Sequence, residues 1–217
     1  MTDIAIVGAG GLGREVLVLL HQINDVMPQW NVTGFYDDNL PAGYPIDDYT
    51  CLGTVADLAE LDYPLSIAVG IGSPVIKTTI VKKLQRNQHL CFPTLIHPAV
   101  QLKPYQRIEL GEGVILSRGT ILTTSIRLGH HVFVNLSCTI GHDAILEDYV
   151  ALMPGVNISG GTRIGAGTYM GTNATVLQNL HIGAGSFIGA GAVVITAIPA
   201  GSTAVGVPAK IIKQHEL

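Results

Sequence analysis

At 217 residues the chain has room for one large or two small domains, and with 47% apolar residues, 13% charged residues and a mean hydropathy of +0.41 it is not a disordered polymer. A net charge of -4 and a pI near 6.0 give no electrostatic footprint for nucleic acid. No apolar run approaches the ~20 residues needed to span a bilayer. The opening residues lack a signal peptide's basic and apolar regions. The odd count of Cys51, Cys91 and Cys138, without CxxC spacing, fits free thiols in a reducing cytoplasm.

The first 95 residues read as alternating strand and helix. Ile4–Val7 is an apolar run ending in Gly8, the pattern of a buried parallel strand. Val16, Leu19, Leu20 and Ile23 then mark one face of a helix over Glu15–Ile23. Val32–Tyr36 and Ser66–Val69 read as further strands, with a short helix around Ala56–Leu61 between them. Ser73-Pro74 supplies an N-cap and a proline at the first helical position, opening a helix to about Gln88; Leu90–Leu95 reads as a fourth strand. The sum is half of a doubly wound sheet, a Rossmann-like α/β half-domain over residues 1–96.

From Leu110 the period changes to six. Leu110, Leu116, Leu122, Leu128, Val134, Ile140 and their successors to Val194 are aliphatic or Met, and small or β-branched residues such as Thr120, Cys138, Ala144 and Ala174 stand four places later. Gly often follows the aliphatic residue directly, as at Gly111, Gly129 and Gly141. Residues 97–217 therefore read as a left-handed parallel β-helix of hexapeptide repeats. The aliphatic side chains fill its narrow interior, with Gly and Asn at corners that need a positive φ. Each coil buries its apolar face only on its neighbours, so stability is summed along the stack.

Gly8, Gly10 and Gly13 form G-x-G-x-x-G between a strand and a helix. There the backbone can approach a phosphate and point helix N–H groups at it. Asp37 or Asp38, ending the second strand, suits a ribose or base edge. In the hexads, His142 lies two places after Ile140, facing outward, and imidazole titrates in the range useful to a general base. Adjacent Asp143 is placed to orient the ring, and Asn135, one hexad earlier, either holds a substrate or relieves a left-handed corner. Cys138 occupies an interior slot, unsuited to a nucleophile. His130, His131 and His142 raise the question of zinc, but neighbours on a strand point to opposite faces, so no metal is expected.

Several segments together resemble the bacterial sugar acyltransferases of the sialic acid O-acetyltransferase type, in a layout similar to the UDP-4-amino-sugar N-acetyltransferases. They are Gly8 to Glu15, Phe35-Tyr36-Asp37-Asp38, Gly70-Ile71-Gly72, Leu95-Ile96-His97-Pro98, Cys138 to Asp143, and Val205 to Lys210. The resemblance implies direct acetyl transfer from acetyl-coenzyme A to an amino or hydroxyl group of a nucleotide-linked sugar, with His142 as base assisted by Asp143. It further implies a homotrimer with the coenzyme in a groove between two β-helices. Coenzyme contacts are implied at Ala151, Thr172 and Ala190, and acceptor contacts at Gly10, Gly11, Leu12, Asp37, Asp38 and Gly72. The family's second histidine is replaced here by Ala151, and its frequent histidine at the glycine loop by Leu12. O-acetylation of sialic acid or a capsule sugar stays open, as do an NAD-binding oxidoreductase and a non-catalytic trimeric scaffold.

Overall fold

A computed structural model describes residues 1–215 and divides the chain into two compact units, Met1–Leu95 and Ile96–Leu217. The first contains β1 (Thr2–Val7), α1 (Gly11–Val26), β2 (Trp30–Tyr36), β3 (Pro45–Ile46), β4 (Tyr49–Gly53), α2 (Val55–Ala59), β5 (Leu65–Val69), α3 (Pro74–Leu84) and β6 (Leu90–Cys91). Its sheet runs β3-β4-β2-β1-β5-β6, parallel throughout except for the β3–β4 hairpin. β1 sits at the centre, and Ile4, Ala5, Ile6 and Val7 are fully buried, as a strand covered on both faces requires. Val16, Leu19, Leu20 and Ile23 are the buried stripe of α1.

Two local expectations are corrected and one element is added. The β3–β4 hairpin is an addition that no strong turn dipeptide announced. α3 stops at Leu84, with Gln85 as its C-cap, short of Gln88. The expected strand over Leu90–Leu95 pairs with β5 only at Leu90 and Cys91, and Pro93 two residues later has no N–H to offer a ladder. The expected Ser73 cap is present, its hydroxyl accepting from Ile76 N, and α2 carries a capping box between Thr54 and Asp57.

The second unit is a parallel β-helix. Two-residue strands pair with strands 18 residues away, as in Arg127 with Ile145 and Ile145 with Arg163, so three hexads make one coil. Three sheets form the faces: one carries Ile121–Leu122 to Val193–Val194, one Glu109–Leu110 to His181–Ile182, and one includes Ile115–Leu116, Phe133–Val134, Ala151–Leu152, Tyr169–Met170 and Phe187–Ile188. Val134, Leu146, Leu152, Ile164, Met170, Val176, Ile182, Ile188 and Val194 are completely buried in one continuous core. Each such side chain contributes about 1.5–3 kcal/mol on burial. The small slots are filled too, and interior hydroxyls bond to backbone: Thr120, Thr162 and Thr168 donate to the carbonyls of Asn135, Leu177 and Gly183.

The corners depart from expectation. The left-handed residue is the third after each aliphatic position and is often not glycine: Ser137, Asp143 and Tyr149 have φ of 57°, 60° and 61°. The glycines directly after the aliphatic positions serve close approach instead. A Cβ at Gly141 would lie 2.6 Å from Gly160 N, and one at Gly171 2.5 Å from Ala190 N. Inter-coil spacing, rather than φ, demands those glycines.

His97 opens this unit buried, its Nδ1 accepting from the Ala99 N–H at 3.0 Å. Burial, with the Arg118 charge second, holds its pKa below the usual histidine value. The unfolded chain therefore binds this proton more readily, and stability falls as pH drops through the unfolded value, about 6.5. His97→Asn keeps an acceptor without titrating. Urea midpoints measured from pH 7.5 to 5 should fall less steeply for this variant than for the native protein.

Candidate functional site

His142 and Asp143 occupy the corner that follows Thr139–Ile140. In an extended strand consecutive side chains diverge, but the left-handed backbone at Asp143 brings its carboxylate back to the ring. Asp143 Oδ2 lies 2.9 Å from His142 Nδ1. Both side chains are 66% exposed, so the pair adds little stability and its consequence is orientation. A carboxylate only accepts, so this contact selects the imidazole form with its proton on Nδ1, in which Nε2 is the acceptor.

The same sheet face has this corner along one edge. Along the other edge Thr172 and Ala190 stack on successive coils, both exposed, with the Gly191 N–H donating to the Thr172 carbonyl. Between the two edges lies an outward row containing Thr139 and Asn157, whose side chains bond at 2.7 Å; sequence reasoning did not select them. Asn135 begins the far corner but is not its left-handed residue, a position held by Ser137, which corrects the corner reading of Asn135. Its side chain is buried, and Oδ1 accepts from the Leu136 N–H at 2.7 Å. Ala151 stands apart on the neighbouring face, fully buried and paired between Phe133 and Tyr169.

Beside Asp143 an open groove of about 430 Å³ is lined by Arg107, Glu109, Ser125, Ile126, Arg127 and Ile145. Glu109 accepts from Arg127 at 2.8 Å. No periodic signal marks this groove, because its charged residues project from the outward half of the repeat.

Cys138 is buried in the helix interior, and that burial pushes its thiol up to about 11, against lowering by neighbouring backbone N–H groups. It is therefore a thiol rather than a thiolate nucleophile near neutral pH. Cys138→Ala should leave the transfer rate that the resemblance implies within about twofold in a steady-state assay, at a cost of about 1 kcal/mol in stability. Among the described residues no group of three or more His, Cys, Asp or Glu side chains is arranged to hold a metal ion.

The first unit holds its own cavity, of about 380 Å³, lined among others by Gly8, Gly10, Gly11, Leu12, Tyr36, Asp37, Asp38, Gly70 and Ile71. Gly72 is outside this lining, and Leu12 Cδ2 is 3.5 Å from where its Cβ would stand. Asp37 Oδ2 accepts from the Ala9 N–H at 2.8 Å and Oδ1 from the Asn39 N–H at 2.9 Å. Burial raises the Asp37 pKa, but these bonds outweigh it and hold the carboxyl below its ordinary value. Asp38 Oδ1 accepts from Val55 N at 2.8 Å, at the start of α2. Both carboxylates thus shape the loops, a role the strand-end position alone did not reveal. A Cβ at Gly10 or Gly11 would meet nothing within 4 Å, so that backbone is open to an approaching ligand.

Residues 3–84 match the PglD N-terminal domain family. The chain is similar to a GDP-perosamine N-acetyltransferase of Escherichia coli O157:H7, 31% identical over 216 residues, covering 96% of each protein. Among solved structures it is similar to a mutant perosamine N-acetyltransferase from Caulobacter crescentus in complex with CoA and GDP-perosamine. That likeness has 25% identity, a TM-score of 0.88 and coverage of 98% of each chain. It is also similar to the acetyltransferase domain of PglB from Neisseria gonorrhoeae in complex with acetyl coenzyme A, at 28% identity and a TM-score of 0.80, covering 97% of this chain and 98% of that one. With a Rossmann-like half-domain joined to a hexapeptide β-helix and a full-length relative of this kind, the chain belongs to the hexapeptide-repeat sugar acetyltransferases, and it is an acyltransferase.

Proposed function

We propose that this protein transfers an acetyl group from acetyl-coenzyme A to the amino group of a nucleotide-linked 4-amino sugar, of the GDP-perosamine type. The observation that carries the reading is the exposed His142–Asp143 pair at 2.9 Å, on a face whose opposite edge is the Thr172 and Ala190 column. The full-length relative named for GDP-perosamine and the solved relatives holding CoA or acetyl coenzyme A support this choice of donor and acceptor.

In this mechanism the acceptor nitrogen bonds to the acetyl carbonyl carbon as Nε2 of His142 takes its proton. The carbon–sulfur bond breaks, and the proton leaves on the departing thiolate. Asp143 holds the tautomer and favours the imidazolium that forms. The groove beside Asp143 gives the acceptor room, and backbone groups near Thr172 and Ala190 bind the coenzyme's amides. Gly10, Gly11 and Leu12 hold the acceptor's nucleotide, with Asp37 and Asp38 shaping the loops around them. The active form is a homotrimer, with the coenzyme between neighbouring β-helices.

The test follows free thiol release from acetyl-coenzyme A with GDP- and UDP-linked 4-amino sugars and with sialic acid, alongside light scattering. The expected result is turnover with the GDP-linked amino sugar by a trimer. Turnover with sialic acid alone would move the activity to O-acetylation, and tight NAD binding without thiol release would overturn the reading.

A further inference from the structure

From the packing one coil beyond His142, we infer that Gly160 is a positioning residue: its missing side chain is the space in which the His142 imidazole sits. The inference rests on the reading of His142 as base. A Cβ built on Gly160 would lie 2.5 Å from Nε2, 2.6 Å from Cε1 and 2.9 Å from Cδ2 of His142. A Cβ, which forms no hydrogen bond, does not come within 3.0 Å of non-bonded heavy atoms, so ring and side chain exclude each other.

Two further observations remove the usual reasons for a glycine here. The φ of Gly160 is outside the left-handed region, in contrast to Gly161 at 67°. The equivalent positions, two past each aliphatic residue from Glu112 to Ala190, carry Glu, Arg, Thr, His, Leu, Asp, Pro, Gln or Ala, and Gly160 is the one glycine among them. The corner backbone therefore accepts side chains of every size.

The backbone of Gly160 cannot retreat from an added methyl. Its carbonyl accepts from the Asn179 N–H at 3.0 Å, the Gly161 N–H donates to the His142 carbonyl at 2.7 Å, and Gly141 is close-packed against Gly160 N. The imidazole is free to move, being 66% exposed and held by one side-chain bond, to Asp143. A methyl group at residue 160 thus displaces the ring and spares the coil. A misplacement of about 1 Å at a reacting group costs up to about 100-fold in rate.

The experiment compares Gly160→Ala in the native and His142→Ala backgrounds, with kcat, KM for both substrates, and thermal melting. The expected result is a fall in kcat of about 10- to 100-fold, with KM values within about twofold and an unchanged melting temperature. In the His142→Ala background the same substitution should change the residual rate by less than about twofold, since no ring remains to be displaced. An equal loss in both backgrounds, which a blocked ligand would give, overturns the inference, as does a native kcat in Gly160→Ala. Full activity in His142→Ala alone would instead overturn the reading of the base itself.

Discussion

His142→Ala is expected to lower kcat for acetyl transfer by about 10²–10⁴-fold, the range over which a positioned general base acts. The protein should fold normally, because the side chain is exposed and makes a single bond, to Asp143. Asp143→Asn should cost less. Its carboxamide can still accept from Nδ1–H, but it no longer stabilises a developing imidazolium. Fold retention is checked by circular dichroism and melting, and rates by thiol release with both substrates saturating. A scaffold that used the helix only for trimerisation would show no rate to lose.

The second large effect concerns stability, at Gly13. A Cβ there would lie 1.8 Å from the Gly8 carbonyl oxygen and 2.8 Å from its carbon. The obstacle is backbone at the end of β1, with no flexible tip to swing aside. Gly70, at the end of β5, is packed against the same residue, since its own Cβ would come within 2.6 Å of Gly13 Cα. Gly13→Ala must push α1 away from the sheet, and a loss of at least about 2 kcal/mol is expected in urea unfolding of the full chain. Gly11→Ala is the contrasting case, because nothing lies within 4 Å of its Cβ and alanine favours the first helical turn. That variant should unfold at an equal or higher urea concentration, while its KM for the nucleotide sugar rises about tenfold or more. Gly13 answers to the fold, and Gly11 to the proposed nucleotide site.

The division between what the sequence disclosed and what it hid follows from the periodicities involved. The interior of the β-helix repeats every six residues because each coil imposes the same volume on Leu146, Ile164 and Ile182, so a one-dimensional pattern carries it completely. β1 and α1 are marked by an apolar run and a helical stripe of the same kind. The strand register and the glycine close approaches recur every coil, but side-chain contacts peculiar to one pair of coils occur once each, at outward positions that no period marks. The pairing of His142 with Gly160 is of this sort, as is the groove where Arg107, Arg127 and Asp143 meet. The bonds of Asp37 to Ala9 and of Asp38 to Val55 join loops far apart in the chain, so the strand-end position suggested a ligand contact and hid the structural task. His142 itself was legible as an outward position, and the bond that orients it depends on a left-handed Asp143 that the repeat does not advertise.

The most direct measurement is the position of coenzyme A in a co-crystal of the whole protein. Its sulfur is expected within about 3–4 Å of His142 Nε2, directly or through one water, with the pantetheine chain running toward Thr172 and Ala190. A coenzyme bound on another face, with its sulfur out of reach of any His142 ring in the assembly, would contradict the assignment of that histidine as the base.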